Sequence, residues 1–251
     1  MAPVFHPVDP GLLLRVTRKM TPLSPALAKA VDDIWNSEQA RLGGRLFNGQ
    51  VFSADTITPG LISGHWTEFR RVVAQMRQPE LYDALRVRPL SVGGVIIGPD
   101  GVVFGRRPRH SVYQSGQWQM PPAGSIDLTA ARPDGAVDFR AMLLTELAEE
   151  IGLIEAEVTV GPALGVVEHP GSRVHDLGIA LTTQLGEHQI LERHAALGNG
   201  EYDPLVVIRP QALAAFLRKP DVTLQAPLFL AAARLSGLGL DEGTALDPPE
   251  A

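Results

Sequence analysis

The chain has 251 residues, with no cysteine, a formal net charge of −6, 45 % apolar and 20 % charged residues. That composition supports a sizeable core and excludes wholesale disorder, and the missing thiols exclude disulfides, thiol catalysis and Cys-ligated zinc or iron–sulfur centres. The acidic balance argues against a general nucleic-acid binder, and no apolar run approaches the roughly 18 residues of a membrane span.

The first ten residues hold Asp9 and three prolines. They do not read as a secretory signal, so a soluble cytoplasmic protein is the expectation. Gly11 to Val16 reads as a short strand. Ser24-Pro25 puts Ser at a helix N-cap and Pro at its first position. That helix is expected to carry Leu27, Val31, Ile34 and Trp35 and to stop near Gly43-Gly44. Strands are expected around 46–52 and 61–69. A helix through Phe69, Val72, Val73 and Met76 ends before Pro79.

The character of the chain changes near Pro89. Ser91 to Ile97 reads as a buried strand, Gly98-Pro-Asp-Gly101 as a turn, and Val102 to Phe104 as the returning strand. Arg106, Arg107 and Arg109 follow. A Pro-, Gly- and Ser-rich stretch, 108–134, reads as one long loop of the kind that carries function. Phe139 to Ile151 is the clearest helix, with Gly152 as its stop. Strands are expected at 158–168, 177–185 and 205–208, and helices at 211–218 and 225–236. The acidic tail from Gly237 reads as frayed. Three segments result: an accessory region, 1–88; a main domain, 89–236; and the tail, 237–251. Helices and strands mix without strict alternation, so an α+β (mixed α/β) sandwich is expected rather than a doubly wound sheet.

Glu146, Glu149 and Glu150 lie at i, i+3 and i+4 of the clearest helix. On an α-helix they fall on one side, while Leu143, Leu147 and Ile151 form a stripe that faces the core. Three like charges repel there, and the two later ones meet the unfavourable end of the helix dipole. A solvated acidic face is one reading. A bound divalent cation is the other, and oxygen-only ligands suit Mg²⁺ or Mn²⁺.

Glu146-Leu-Ala-Glu-Glu-Ile-Gly-Leu153 resembles the second half of the Nudix hydrolase box, E-U-x-E-E-x-G-U with U apolar. Pro122-Ala-Gly124 with Ile126-Asp127 resembles the opening seen in that family's sugar-nucleotide members. Three departures stand beside the match. Thr145 replaces the box arginine, Val137 stands where a glutamate belongs, and seven extra residues separate Gly124 from Thr145. Ile34 to Gln50 is similar to the N-terminal region of a two-domain branch that hydrolyses UDP-glucose.

The resemblance implies an α/β/α sandwich over roughly 90–220 that hydrolyses a nucleoside diphosphate linked to another moiety, a UDP-sugar or ADP-ribose above all. It implies Glu149 and Glu150 as metal ligands, with Glu146 as a further ligand or the base, and the backbone near Gly124 as an added ligand. Glu146 and Glu150 are then the catalytic pair. Among later acids, Glu201 ranks ahead of Glu168 and Glu192. Arg106, Arg107 and Arg109 become phosphate contacts. Trp118 and Tyr113 become stacking groups, with burial under the loop the alternative for Trp118. The partner is a small nucleotide, with no membrane or nucleic acid, and a homodimer is allowed. His169, His175, His188 and His194 show no zinc spacing and read as structural or exposed.

Two rival functions remain. Tyr113-Gln-Ser-Gly-Gln117 is similar to the loop of coenzyme A diphosphatases, although Gln114 or Ser115 stands where that loop has histidine. Val137 and Thr145 instead suit a module that binds a nucleotide without cleaving it.

Overall fold

A computed structural model describes residues 4–111 and 113–222. The expected helix at 225–236 and the acidic tail lie outside the described residues. The fold is α+β. Its elements run β1 (Val4–His6), β2 (Leu13–Val16), α1 (Pro25–Arg41), β3 (Gln50–Ile57), β4 (Leu61–Glu68), α2 (Phe69–Arg77) and the short α3 (Tyr82–Leu85). They continue with β5 (Leu90–Gly98), β6 (Gly101–Arg106), β7 (Trp118–Gln119), β8 (Ala123–Ser125) and α4 (Phe139–Glu146). The last are β9 (Thr159–Glu168), β10 (His175–Thr182), α5 (Glu187–Leu197), β11 (Leu205–Ile208) and α6 (Pro210–Leu217).

The large sheet has the order β1-β9-β10-β5-β6-β11, with β7 on β6 and β8 on β5. It is mixed, because β5 and β10 pair in parallel while the other pairs are antiparallel. A second, three-stranded sheet runs β2-β4-β3. The first strand of the N-terminal region therefore joins the large sheet, and the rest builds the small one. Phe52 of β3 donates its N–H to the Ile126 carbonyl at 2.7 Å. Leu14, Phe52 and Ile62 share one core with Leu90, Val92, Leu143 and Leu147.

The hairpin of β5 and β6 positions the site. The two strands pair only near their turn, at Ile97–Val102 and Gly98–Gly101. Beyond that they part. β5 takes β8 as partner through Ser91 to Gly93, and β6 takes β7 through Gly105 and Arg106. The stretch expected as one loop thus supplies two short strands. Buried backbone N–H and C=O groups must be paired, and the parted strands offer the partners. Gly94 permits the close approach: a Cβ there would lie 2.7 Å from both Pro122 and Leu181.

The elements start where their chemistry places them. Ser24 accepts from the Leu27 N–H at the head of α1, and Asp138 accepts from the Ala141 N–H at the head of α4. Such caps contribute on the order of 1 kcal/mol each. Two expectations were displaced. The strand placed around 46–52 is β3, shifted to 50–57 with an irregularity near Asp55. The strand placed at 177–185 is β10, pulled forward to His175 by its parallel match with Leu90. Helix α5 was not expected, since its single buried residue, Ile190, leaves no apolar stripe to read.

Phe52 is fully buried and meets Trp66 edge-on at 5.7 Å. Phe52→Ala empties the junction of the two sheets. Equilibrium urea unfolding should show a loss of about 3–5 kcal/mol; a change within 1 kcal/mol would mean that the small sheet does not share the main core.

Candidate functional site

The candidate site is a cavity of about 360 Å³ opening where β5 and β6 part. Its acidic side carries Glu146, Glu150 and Glu201. Ala123, Gly124 and Ser125 of β8 line it beside them, with Arg107, Gln119, Ser91 and Asp176. Its apolar side comes from the N-terminal region: Val51 of β3 and Phe69, Val72 and Met76 of α2.

The helix that brings the glutamates is not a plain α-helix to its end. Leu143, Leu147 and Ile151 form the expected buried stripe. Across Leu147–Ile151, however, the backbone widens into a π-helical turn, closed by Gly152 at φ 78°. A residue with a Cβ cannot take that place, because the Cβ would lie 2.6 Å from the Arg193 carbonyl oxygen. The three glutamates differ in burial. Glu150 is 1 % exposed, Glu146 is half-buried and Glu149 is exposed. The Glu149 carbonyl accepts from the Asn199 N–H at 2.8 Å, which seats the loop carrying Glu201 on this turn.

Glu150 is the centre of the arrangement. Its Oε2 accepts from the Ala123 N–H at 2.9 Å. Its Oε1 is sealed from solvent and has no hydrogen-bond partner. Burial pushes its carboxyl well above the usual carboxylate range, and Glu201 and Glu146 push the same way; the Ala123 N–H and Arg107 oppose them. Glu146 is raised to about 7, by burial first and then by Glu201, Glu149 and Asp127. Gly124 packs on it so closely that a Cβ would lie 1.9 Å from Glu146 Oε1.

Arg107 is the basic counterpart. Its Nη1 donates to Glu201 Oε1 at 2.7 Å, while its Nε is buried without a partner. Burial works against its charge, but Tyr202, Glu201 and Glu150 keep its pKa above the ordinary value. Its backbone is fixed by an N–H bond to the Gln117 carbonyl at 2.9 Å. Arg107 and Glu201 also line a larger, more open cleft of about 660 Å³, together with Arg41, Arg45 and His110.

The cavity thus gathers Glu146, Glu150, Gly124, Glu201 and Arg107. Glu149 does not line it. Arg106 turns aside, donating to the Gly116 carbonyl at 3.0 Å and pairing with Asp221. Arg109 is exposed, and its carbonyl accepts from Ser115. Trp118 packs edge-on against Phe216 at 5.5 Å and is not among the lining residues; Tyr113 is. Of the other acids, Glu192 is exposed beside His188, and Glu168 pairs with Arg173.

The departures from the box have plain structural places. Val137 is a core residue, and Thr145 is exposed with its hydroxyl bonded to the Ala141 carbonyl. Asp138 caps α4 and pairs with Arg132. Sequence reasoning missed the buried Tyr202, whose hydroxyl accepts from Gln119, and missed the apolar wall from α2. The only signal for Tyr202 was its place beside Glu201.

Glu146, Glu150 and Glu201 offer the oxygen donors that suit a hard divalent cation. One of those oxygens is buried and lacks any partner, and burial and mutual repulsion raise the pKa of Glu146 and Glu150.

No protein-family model matches the chain, and no curated protein matches it. Among solved structures it is similar to a MutT protein from Methanosarcina mazei Go1, at 16 % identity and TM-score 0.42, covering 59 % of this chain and 94 % of that one. It is similar to an Ap4A hydrolase from C. elegans at 14 % identity and TM-score 0.41, covering 59 % and 98 %. An ADP-ribose pyrophosphatase from Streptococcus suis 89-1591 matches at 18 % identity and TM-score 0.37, covering 59 % and 92 %. Likenesses at this level carry no statement about what this chain acts on.

Two substitutions probe the site without a substrate. Glu150→Gln keeps an acceptor for the Ala123 N–H and removes a buried like charge. In metal-free protein it should raise the melting temperature by a few degrees, about 1–2 kcal/mol, read by calorimetry; a fall would show that the charge is compensated. Gly124→Ala should leave the far-ultraviolet dichroism intact yet weaken Mn²⁺ binding by at least about tenfold, because it displaces Glu146. Unchanged Mn²⁺ affinity would remove Glu146 from the cation site.

Proposed function

We propose that the cavity hydrolyses the diphosphate of a nucleoside diphosphate joined to a further moiety, most readily a nucleotide sugar of the UDP-sugar or ADP-ribose kind, as a divalent-metal-dependent Nudix hydrolase. The observation that carries this reading is the buried, partnerless Oε1 of Glu150, set beside Glu146 and Glu201 in one cavity. Glu150 and Glu146 would hold Mg²⁺ or Mn²⁺, with the backbone of Gly124 as a further oxygen donor. Glu149, on the outer side of the same turn, adds negative charge beside Glu146. Bound there, such an ion neutralises phosphate charge and acidifies a water.

The chain's own residues supply the rest. Glu146 and Glu150 form the catalytic pair, one orienting water and the other fixing charge. Glu201 is a third carboxylate at the same cavity. Arg107 is the anion contact, since its Nε has a free donor and its fork can meet two phosphate oxygens at once. Phe69, Val72, Met76 and Tyr113 offer the face for a base or sugar, so the N-terminal region helps to set which substrate fits. The packing of Trp118 on Phe216 gives it a part in holding β7 in place.

A second reading, binding without turnover, has one observation in its favour. Neither Thr145 nor Val137 reaches the cavity lining, so the bracing that the box arginine and glutamate supply has no counterpart at those positions.

Release of nucleoside monophosphate from UDP-glucose and ADP-ribose with Mg²⁺ is the deciding assay. Cleavage of one of them is expected, with a fall of at least about a hundredfold in Glu150→Gln and Glu146→Gln, and a smaller one in Glu149→Gln. Calorimetric binding of both nucleotides without product would favour the binding module. Neither binding nor turnover would discard the reading.

A further inference from the structure

A cluster of possible metal ligands lies outside this cavity. Three neighbouring strands put His6 of β1, Glu168 of β9 and His175 of β10 together. His175 stands directly across from Glu168, and Val4 does so from the other side, which leaves His6 diagonal to Glu168. Residues opposite and diagonal across paired strands share a face and come within reach of one another. On β10, His175 alternates with Asp176, a residue lining the carboxylate cavity, so the two side chains leave the sheet in opposite directions.

We propose that His6, Glu168 and His175 form a site for a first-row transition metal ion of the Zn²⁺ class, separate from the carboxylate cavity, that fastens the N-terminal strand to the large sheet. Glu168 Oε2 lies 3.5 Å from His6 Nε2 and 3.4 Å from His175 Nε2, and all three atoms fall within 4.8 Å of one another. Two ligands each about 2.0–2.1 Å from a tetrahedral ion stand about 3.3–3.4 Å apart. The three side chains therefore already hold near-ligating separations. Two imidazoles and one carboxylate suit zinc or its neighbours and not Mg²⁺.

The surroundings orient the donors. His175 Nδ1 lies 2.8 Å from the Arg173 carbonyl, which can only accept, so the proton sits on Nδ1 and the Nε2 lone pair points inward. Arg173 Nη1 holds Glu168 Oε1 at 2.9 Å and leaves Oε2 for an ion. His6 Nε2 is sealed from solvent with no hydrogen-bond partner. Arg88 Nη2 meets His175 Nε2 at 3.1 Å, and a bound ion displaces it toward its other contact, the Asp55 carbonyl. The gain falls where the fold is thin. β1 is a three-residue edge strand whose Val4 and Phe5 are exposed.

The test uses the full chain without a purification tag, stripped by a chelator and titrated with Zn²⁺ or Co²⁺. One Zn²⁺ should bind per chain, Co²⁺ should show the intense visible band of a low-coordinate nitrogen-containing site, and exchange of the Phe5 and His6 amides should slow. His6→Ala and Glu168→Gln should each cost at least about tenfold in affinity, whereas Glu150→Gln keeps the site. His6 lies at the sheet edge, so its variant decides the matter even if His175→Ala does not fold. Absence of Zn²⁺ binding overturns the proposal. So does binding lost in Glu150→Gln and kept in His6→Ala.

Discussion

A carboxylate that cannot comfortably be charged sits at the centre of this structure. Glu150 is withdrawn from water, shares its space with Glu146 and Glu201, and satisfies one oxygen only. A buried uncompensated charge costs several kcal/mol, so a fold tolerates such a group only where something outside the chain answers it, or where it gives up its charge. β8 is pinned by its pairing with β5, the Ala123 N–H takes one oxygen, and the loop after α5 is tied to the same turn through Asn199. The geometry is held by backbone, which keeps the carboxyl in place.

The N-terminal region is built into this plan. Its small sheet shares the main core through Phe52 and Ile62, and α2 closes the apolar side of the cavity. The cavity has carboxylates at one side and Phe69, Val72 and Met76 at the other. The two ends come from different stretches of chain, so charge recognition and shape recognition can change independently.

What could be read from the residues alone followed local rules. Ser24-Pro25 and Asp138 mark helix starts, Gly152 marks a stop, and the Leu143, Leu147, Ile151 stripe points inward as its spacing requires. Glu201 was singled out from its place before a strand, and it does line the cavity. What could not be read depended on the third dimension. Adjacent helical residues stand about 100° apart, so Glu150 falls beside the buried stripe while Glu149 turns outward, and the π-helical turn at Leu147–Ile151 leaves no mark in the residue pattern. Trp118 meets Phe216 across nearly a hundred residues, a contact no local pattern encodes. His6 and His175 share no spacing at all; only the strand order β1-β9-β10 makes them neighbours.

Arg107 and Glu201, joined by a salt link, line both clefts. A partition of leucines would stay shut, because separating it exposes oil to water on both sides. An ion pair is negotiable. An anion arriving from either side bids for the guanidinium, a cation bids for the carboxylate, and each success frees the other partner. The pair is thus a polar seam shared by the two chambers.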